Sequence, residues 1–237
     1  ATGPNMNTIS RNSSAGCGTA TAALSFGGTA SIGGNQAVTE SYNGTSWSFG
    51  GKMITARQSL MGAGTTTAAL SFGGSTGSIV GNTESYNGTS WSSGGSLSTV
   101  VQYAGGCGTN TAALCVGGYT TVNPWNSAIT QSYNGTSWST GGSLSVAKSQ
   151  LAACGISTAA LAWGGNGTAS YVNTESYNGT SWSTGGNMQK TRSTHTGVGT
   201  STSALSVGGE SNYNSSTEIY NGTSWSWGAS PGMCLNG

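Results

Sequence analysis

The sequence has no aspartate, one histidine (His195) and three prolines, and only 5% of its 237 residues are charged, against about 25% in an ordinary soluble domain. Each shortage excludes something. Without Asp and with a lone His, a Ser-His-Asp relay cannot be assembled and a histidine-rich metal site has no ligands. Six bases against five acids leave a net charge of +1, so neither nucleic acid nor an anionic membrane surface has a basic patch to meet. No apolar run approaches the roughly 18 residues that span a bilayer, and the N-terminus carries no basic stretch followed by an apolar one. Helical surfaces draw on Lys, Glu and Arg, which are scarce here. The bulk is Gly, Ser, Thr and Asn, which favours strands and turns.

What is present is a repeat. The stretch T-E-S-Y-N-G-T-S-W occupies 39–47, 83–91 and 174–182, with variants at 130–138 and 217–225. A second block, A-A-L-S-F-G-G or a near relative, ends at Gly28, Gly74, Gly118, Gly165 and Gly209. Trp47, Trp91, Trp138, Trp182 and Trp225 stand 44, 47, 44 and 43 residues apart, close to the roughly 40–50-residue period of propeller units. Each unit reads as four short strands. The first is small and glycine-rich, as in Gly62-Ala63-Gly64, and the second alternates Leu70 and Phe72 with Ala69 and Ser71. The third ends at Tyr86 and the fourth starts at Trp91, with Asn87-Gly88 between them, a hairpin signal that places both turn residues at positive φ.

The doubled glycine after an apolar strand, the Glu-x-Tyr, the Trp five residues after the Tyr, and then Met53 and Arg57 fall in the order of kelch repeats. The chain resembles that family from about Met6 to Trp225, and the wording G-T-x-T-A-A-L-S-F-G-G and Y-N-G-T-S-W is similar to kelch-type repeats of bacteriophage structural and tail proteins. The resemblance implies an all-β kelch-like propeller with four antiparallel strands per blade; the five repeat units make it five-bladed, where kelch propellers commonly have six or seven blades. The blades are expected at about 6–51, 52–95, 96–142, 143–186 and 187–228, with 229–237 as a tail. First strands made of small residues, such as Ala15-Gly16-Cys17-Gly18 and Gly105-Gly106-Cys107-Gly108, suit a crowded axis, so a single five-bladed ring within the four-to-eight-blade range is expected. The tail is expected to clasp the first blade. A Cys17–Cys234 bridge is the less favoured form of that clasp.

Charge follows the repeat. Glu40, Glu84, Glu175 and Glu218 share one slot; Arg11, Arg57, Lys148 and Arg192 share another, 13 residues before the second-strand leucine. The third unit has Val101 and Gln131 in these two slots, so both charges vanish together. That paired loss points to structural ion pairs within a blade, because a lone buried charge costs several kcal/mol. A ring of ligand-binding arginines is the alternative. Cys17, Cys107 and Cys154 share a slot too, while Cys115 and Cys234 do not; an odd count at these spacings fits buried free thiols better than zinc or a disulfide framework. His195 reads as a surface or strand residue, and the repeat glutamates as architecture rather than a glycosidase pair.

Length varies only between the Gly-Gly and the repeat Thr, in loops 29–38, 75–82, 119–129, 166–173 and 210–216. These loops should share one face. They hold aromatics that the repeat does not require, Tyr119, Trp125, Tyr171 and Tyr213, which we take as candidate ligand- or partner-binding residues; drift in loops of no consequence is the alternative. The expected function is a non-enzymatic binding or structural propeller without cofactor or metal, a bacteriophage virion component (tail, fibre or decoration) in assembly or host-surface recognition. Its partners would be other virion or surface proteins or a host-surface glycan, with no nucleic acid and no membrane insertion. A secreted carbohydrate-binding propeller is the other reading. Its location is accordingly virion or extracellular. The Asn-Gly-Thr triplets at Asn43, Asn87, Asn134, Asn178 and Asn221 are also glycan acceptors in a eukaryotic secreted setting.

Overall fold

The computed structural model describes residues 4–8, 11–122, 125–168, 171–209 and 216–228. They are all-β, without a helix among the described residues. Five four-stranded antiparallel sheets follow one another along the chain, and a small sheet of Arg11–Asn12, Thr29–Ala30 and Gly34–Asn35 accompanies the first. The second sheet shows the pattern, with Met61–Thr65, Ala68–Phe72, Thr83–Tyr86 and Trp91–Gly94 paired in that order. The first strands of the others are Ala15–Thr19, Gly105–Gly108, Ala152–Ile156 and Thr196–Thr200.

The hairpin between third and fourth strands differs from the expected two-residue turn. Asn87 does not adopt positive φ; Gly88 does, at 93°. The connection is four residues long, and the Asn87 side-chain oxygen accepts the N–H groups of Thr89 and Ser90 at 3.0 and 2.9 Å. Asparagine is needed for its oxygen, which stands in for a backbone acceptor, and only glycine for its φ.

Side chains alternate between two faces of each sheet. Met61, Ala63, Leu70 and Phe72 point forward onto Ala113, Cys115, Tyr133 and Trp138 of the third sheet. Leu24 and Phe26 pack in the same way on Ala69, Tyr86 and Trp91 of the second. Each built interface is also tied by a tryptophan: the indole N–H groups of Trp91, Trp138, Trp182 and Trp225 donate to the hydroxyls of Thr39, Thr83, Thr130 and Thr174 in the preceding sheet at 2.8–2.9 Å.

First strands of all five sheets line a shared cavity, Gly16, Gly62, Gly106 and Gly197 among them, and the last three glycines also answer a neighbouring sheet. A Cβ on Gly62 would meet the Phe26 ring at 2.7 Å, one on Gly106 the Phe72 ring at 3.0 Å, and one on Gly197 would run into the Trp163 ring. Where the preceding sheet offers the smaller Val116, the equivalent residue is Ala153, in the same cluster. Large meets small across each interface, as close packing requires.

Five non-glycine residues hold left-handed φ of 52–56°: Ser13, Ser59, Tyr103, Gln150 and Thr194, one before each first strand. Their backbones form a relay. The N–H groups of Ser59, Tyr103, Gln150 and Thr194 donate to the carbonyls of Ser13, Ser59, Tyr103 and Gln150 in turn, at 2.7–3.1 Å. A second relay runs from Gly28, Gly74, Gly118 and Gly165 N–H to the carbonyls of Arg57, Val101, Lys148 and Arg192, at 2.7–2.9 Å. Equivalent residues from all five sheets, Ser13, Ser59, Tyr103, Gln150 and Thr194 among them, line one cavity of about 400 Å³.

The expected closure of the ring is not found among the described residues. No bond joins Ser13 N–H to Thr194 or Gly209 N–H to Arg11. Val198 of the fifth sheet is 56% exposed, and Leu205 and Val207 are half-buried where Leu70 and Phe72 are fully covered. The expected clasp at 229–237, Cys234 included, lies outside the described residues. Cys17 is a free thiol.

Candidate functional site: a charge-free groove on the loop face

The repeat charges are spent inside the sheets. Arg11–Glu40, Arg57–Glu84, Lys148–Glu175 and Arg192–Glu218 approach to 3.6, 3.1, 3.4 and 3.0 Å with their side chains almost wholly covered. Arg57 also donates to the carbonyls of Gly73 and Asn82 and to the Ser71 hydroxyl, while Glu84 accepts the N–H groups of Ile54 and Thr55. The pair therefore ties the chain entering a sheet to that sheet's second and third strands. In the third sheet Gln131 reproduces the acceptor, taking the Thr99 N–H at 3.0 Å and returning its own N–H to the Thr99 carbonyl at 2.9 Å. Val101 fills the cation's slot, fully buried. Burial lowers Arg57 and Lys148 from their ordinary values, and their glutamates partly offset this. Burial alone would raise Glu40; hydrogen bonds from Thr8 and Asn7 and the charge of Arg11 outweigh it and hold the carboxyl below its usual range.

Burial pushes the Cys17, Cys107 and Cys154 thiols up to about 12 and raises Cys115 as well, so none is a ready nucleophile. Their role here is packing. The Cys17 and Cys154 thiols point to the carbonyls of Thr65 and Thr200 in the next sheet.

His195 departs from expectation. It is buried in the slot that Leu60 and Leu151 fill in the second and fourth sheets, wedged against Gly164 and Gly209. Neither ring nitrogen attains hydrogen-bond geometry with a partner, although the Trp163 backbone lies beside it. Desolvation, with Arg192 and Lys148 adding repulsion, lowers it to about 4.

With these groups sequestered, one groove among the described residues of the loop face is lined by aromatics, amides and hydroxyls. Gln102, Tyr103, Tyr119, Trp125, Asn126, Ser149, Gln150, Asn166 and Gly167 line a groove of about 440 Å³ without a charged residue. Tyr119 and Trp125 lie nearly parallel, their ring centroids 6.2 Å apart at 10°. The loop is held by Tyr119 pairing with Gln102, at 2.7 and 3.0 Å, and by Thr120 N–H donating to the Trp125 carbonyl at 2.7 Å. Trp125 is 54% exposed, so the indole is presented rather than stored. Tyr103 and Gln150 line both this groove and the five-sheet cavity, which makes the two neighbours on one surface.

Of the four loop aromatics read from the sequence, the structure brings Tyr119 and Trp125 together. Tyr171 does not line the groove; its hydroxyl lies 3.1 Å from the Thr168 hydroxyl and its ring sits beside Gly167. Tyr213 lies outside the described residues, as does Pro124. Sequence reasoning missed Tyr103, Gln150 and the amides Gln102, Asn126 and Asn166. A signal existed for two of them: the slot two residues after the repeat base reads Ser, Ser, Tyr, Gln, Thr, varied among otherwise repetitive neighbours.

No protein-family model matches the chain, and no curated protein matches it significantly.

Proposed function

We propose that the five sheets are blades of a kelch-type propeller, and that the chain is a non-enzymatic binding module whose loop face takes an uncharged glycan on a host surface. The groove carries this reading. Parallel aromatic rings offer flat apolar faces for sugar C–H surfaces, and the amides and hydroxyls around them supply paired donors and acceptors for ring hydroxyls. A neutral wall suits a neutral ligand, because an ionic one would be desolvated without a counter-charge. The propeller reading is supported by the successive packing of the first strands and by the cavity to which all five sheets contribute. The wording of the repeat supports placement on a bacteriophage particle.

Calorimetry on neutral oligosaccharides selected from a glycan array tests the assignment. Trp125→Ala should weaken binding by about 30-fold, the loss of roughly 2 kcal/mol typical of an exposed aromatic anchor, and leave the melting temperature in place. Binding untouched by Trp125→Ala and Tyr103→Ala alike would remove the groove from the account. The same groove serves the secreted carbohydrate-binding reading; there the exposed Asn43, Asn87, Asn134, Asn178 and Asn221 would carry glycans, and an intact mass well above 23.4 kDa would favour it over the phage particle.

A further inference from the structure

The four built interfaces repeat one geometry, and that uniformity constrains how many blades complete the ring. Both backbone relays recur at the same positions with nearly the same lengths at each step, as do the tryptophan links. Identical contacts between identical units imply a nearly constant rotation per blade. Were that rotation one fifth of a turn, the fifth blade would meet the first through the same contacts. Those contacts are absent among the described residues, and the facing surfaces are open rather than overlapped. Ser13 and Gly209 lack the relay bonds that their equivalents make. Val198 is 56% exposed, and Gly16 and Gly18 of the first blade are exposed as well. A rotation smaller than one fifth of a turn would leave the facing surfaces open in this way, and one sixth is the next value that closes.

Side-chain size points the same way. At the built interfaces the residue ending the second strand faces one slot of the next first strand, and the combinations are Phe26 with Gly62, Phe72 with Gly106, Val116 with Ala153 and Trp163 with Gly197. Aromatic goes with glycine and valine with alanine. Direct contact of the fifth blade with the first would set Val207 against Gly16, a combination that leaves a void where the others are filled. The exposed forward face of the fifth blade also carries Ile219, 45% exposed, where the other blades have Ser41, Ser85, Ser132 and Ser176. On the first blade Tyr42 and Trp47 already stand 5.1 Å apart at 32°, matching the 4.9–5.1 Å and 34–38° of the other Tyr–Trp pairs.

We infer that the space between the fifth and first blades is a docking site for one further blade of this same repeat, a sixth. The occupant presents alanine in its first strand to Val207 and an aromatic residue at the end of its second strand to Gly16. Its Tyr–Trp pair covers Leu205 and Val207, and its apolar face covers Tyr42 and Trp47. The inference rests on the propeller reading and is independent of the glycan.

The fourth unit has the required residues, Ala153 and Trp163. A copy of 143–186 joined after residue 228 should raise the melting temperature and slow exchange of the Ser13 and Gly209 amides roughly a hundredfold, to the rates of Ser59 and Gly165. A copy of 52–95, which sets a glycine against Val207, should stabilise less. Joining the copy ahead of residue 4 gives a second variant should the first not fold. Either variant leaving both amides fast would overturn the inference. So would amides already slow in the unaltered monomeric chain, which would show the ring closing on itself, or slow only in a self-associated form, which would make a second copy the occupant. Fast exchange at Ser59, Tyr103, Gln150 and Thr194 as well would instead count against the propeller.

Discussion

Glu84 shows how a carboxylate survives burial in this chain: it accepts two backbone N–H groups and faces Arg57 at 3.1 Å. Removing one member strands the other, which typically costs about 3–5 kcal/mol, whereas removing both need not. Glu84→Gln should therefore destabilise less than Arg57→Val: Gln131 shows that an amide can keep the loop contacts, and Arg57 would still donate to Gly73, Asn82 and Ser71, whereas Arg57→Val leaves those acceptors unmet and the Glu84 carboxylate buried without its cation. The double variant should cost less than the sum of the singles, and denaturant unfolding in a double-mutant cycle that came out additive would refute the coupling. His195 gives the second prediction. Its folded value, about 4, lies below the ordinary 6.5, so as pH falls through that interval the unfolded chain takes up a proton that the folded chain refuses. Stability is thus lost between pH 6.5 and 4, by about 3 kcal/mol, and the loss levels off below that interval. Glu40, held below its usual range, adds a further loss once pH drops under the ordinary carboxylate value. His195→Leu, which copies Leu60 and Leu151, should remove the first loss and spare the second. An unchanged melting profile between pH 6.5 and 4 would show that the imidazole is not the group responsible.

At the scale of elements, the repeat made strands, order and charge partners legible, because each depends on residues a fixed distance apart in one unit. Leu70 and Phe72 announce a second strand by alternation, and the joint loss of charge at Val101 and Gln131 points to the pairing of the base and acid slots in the other units. What stayed hidden depends on neighbouring units. That Gly62 also makes room for the Phe26 ring cannot be read from its own unit, and His195 looks ordinary until the slot it shares with Leu60 is found beneath the loop face. Tyr103 was hidden for a related reason: only the fold turns a left-handed residue between two strands into the wall shared by two cavities. The interface rule is testable by one substitution at several places. Gly197→Ala drives a methyl into Trp163 and Gly106→Ala into Phe72, which should cost about 1–3 kcal/mol each or more. At Gly16 a new Cβ meets only the Leu24 carbonyl of its own sheet, at 3.0 Å, so Gly16→Ala should cost less. Equal losses in thermal unfolding at all three positions would mean that Gly16 is covered by a neighbour after all.

For the whole molecule, the distribution of charge matters more than its amount. Four bases and four acids are paired and buried between strands, and the loop-face groove has no charged residue. Salt acts on exposed charges and reaches buried pairs weakly, because its screening depends on ions approaching within a Debye length. Raising sodium chloride from about 0.05 to about 0.5 M, which shortens that length severalfold, should therefore leave glycan affinity within about twofold and shift the melting temperature only slightly. An anionic ligand behaves otherwise, since its association weakens with each tenfold step in salt. Affinity that falls steeply over this range would show that recognition draws on a charged surface, with Lys52 and Lys190, the two bases outside the repeat pairs, as its source, and would displace the neutral groove as the principal binding site.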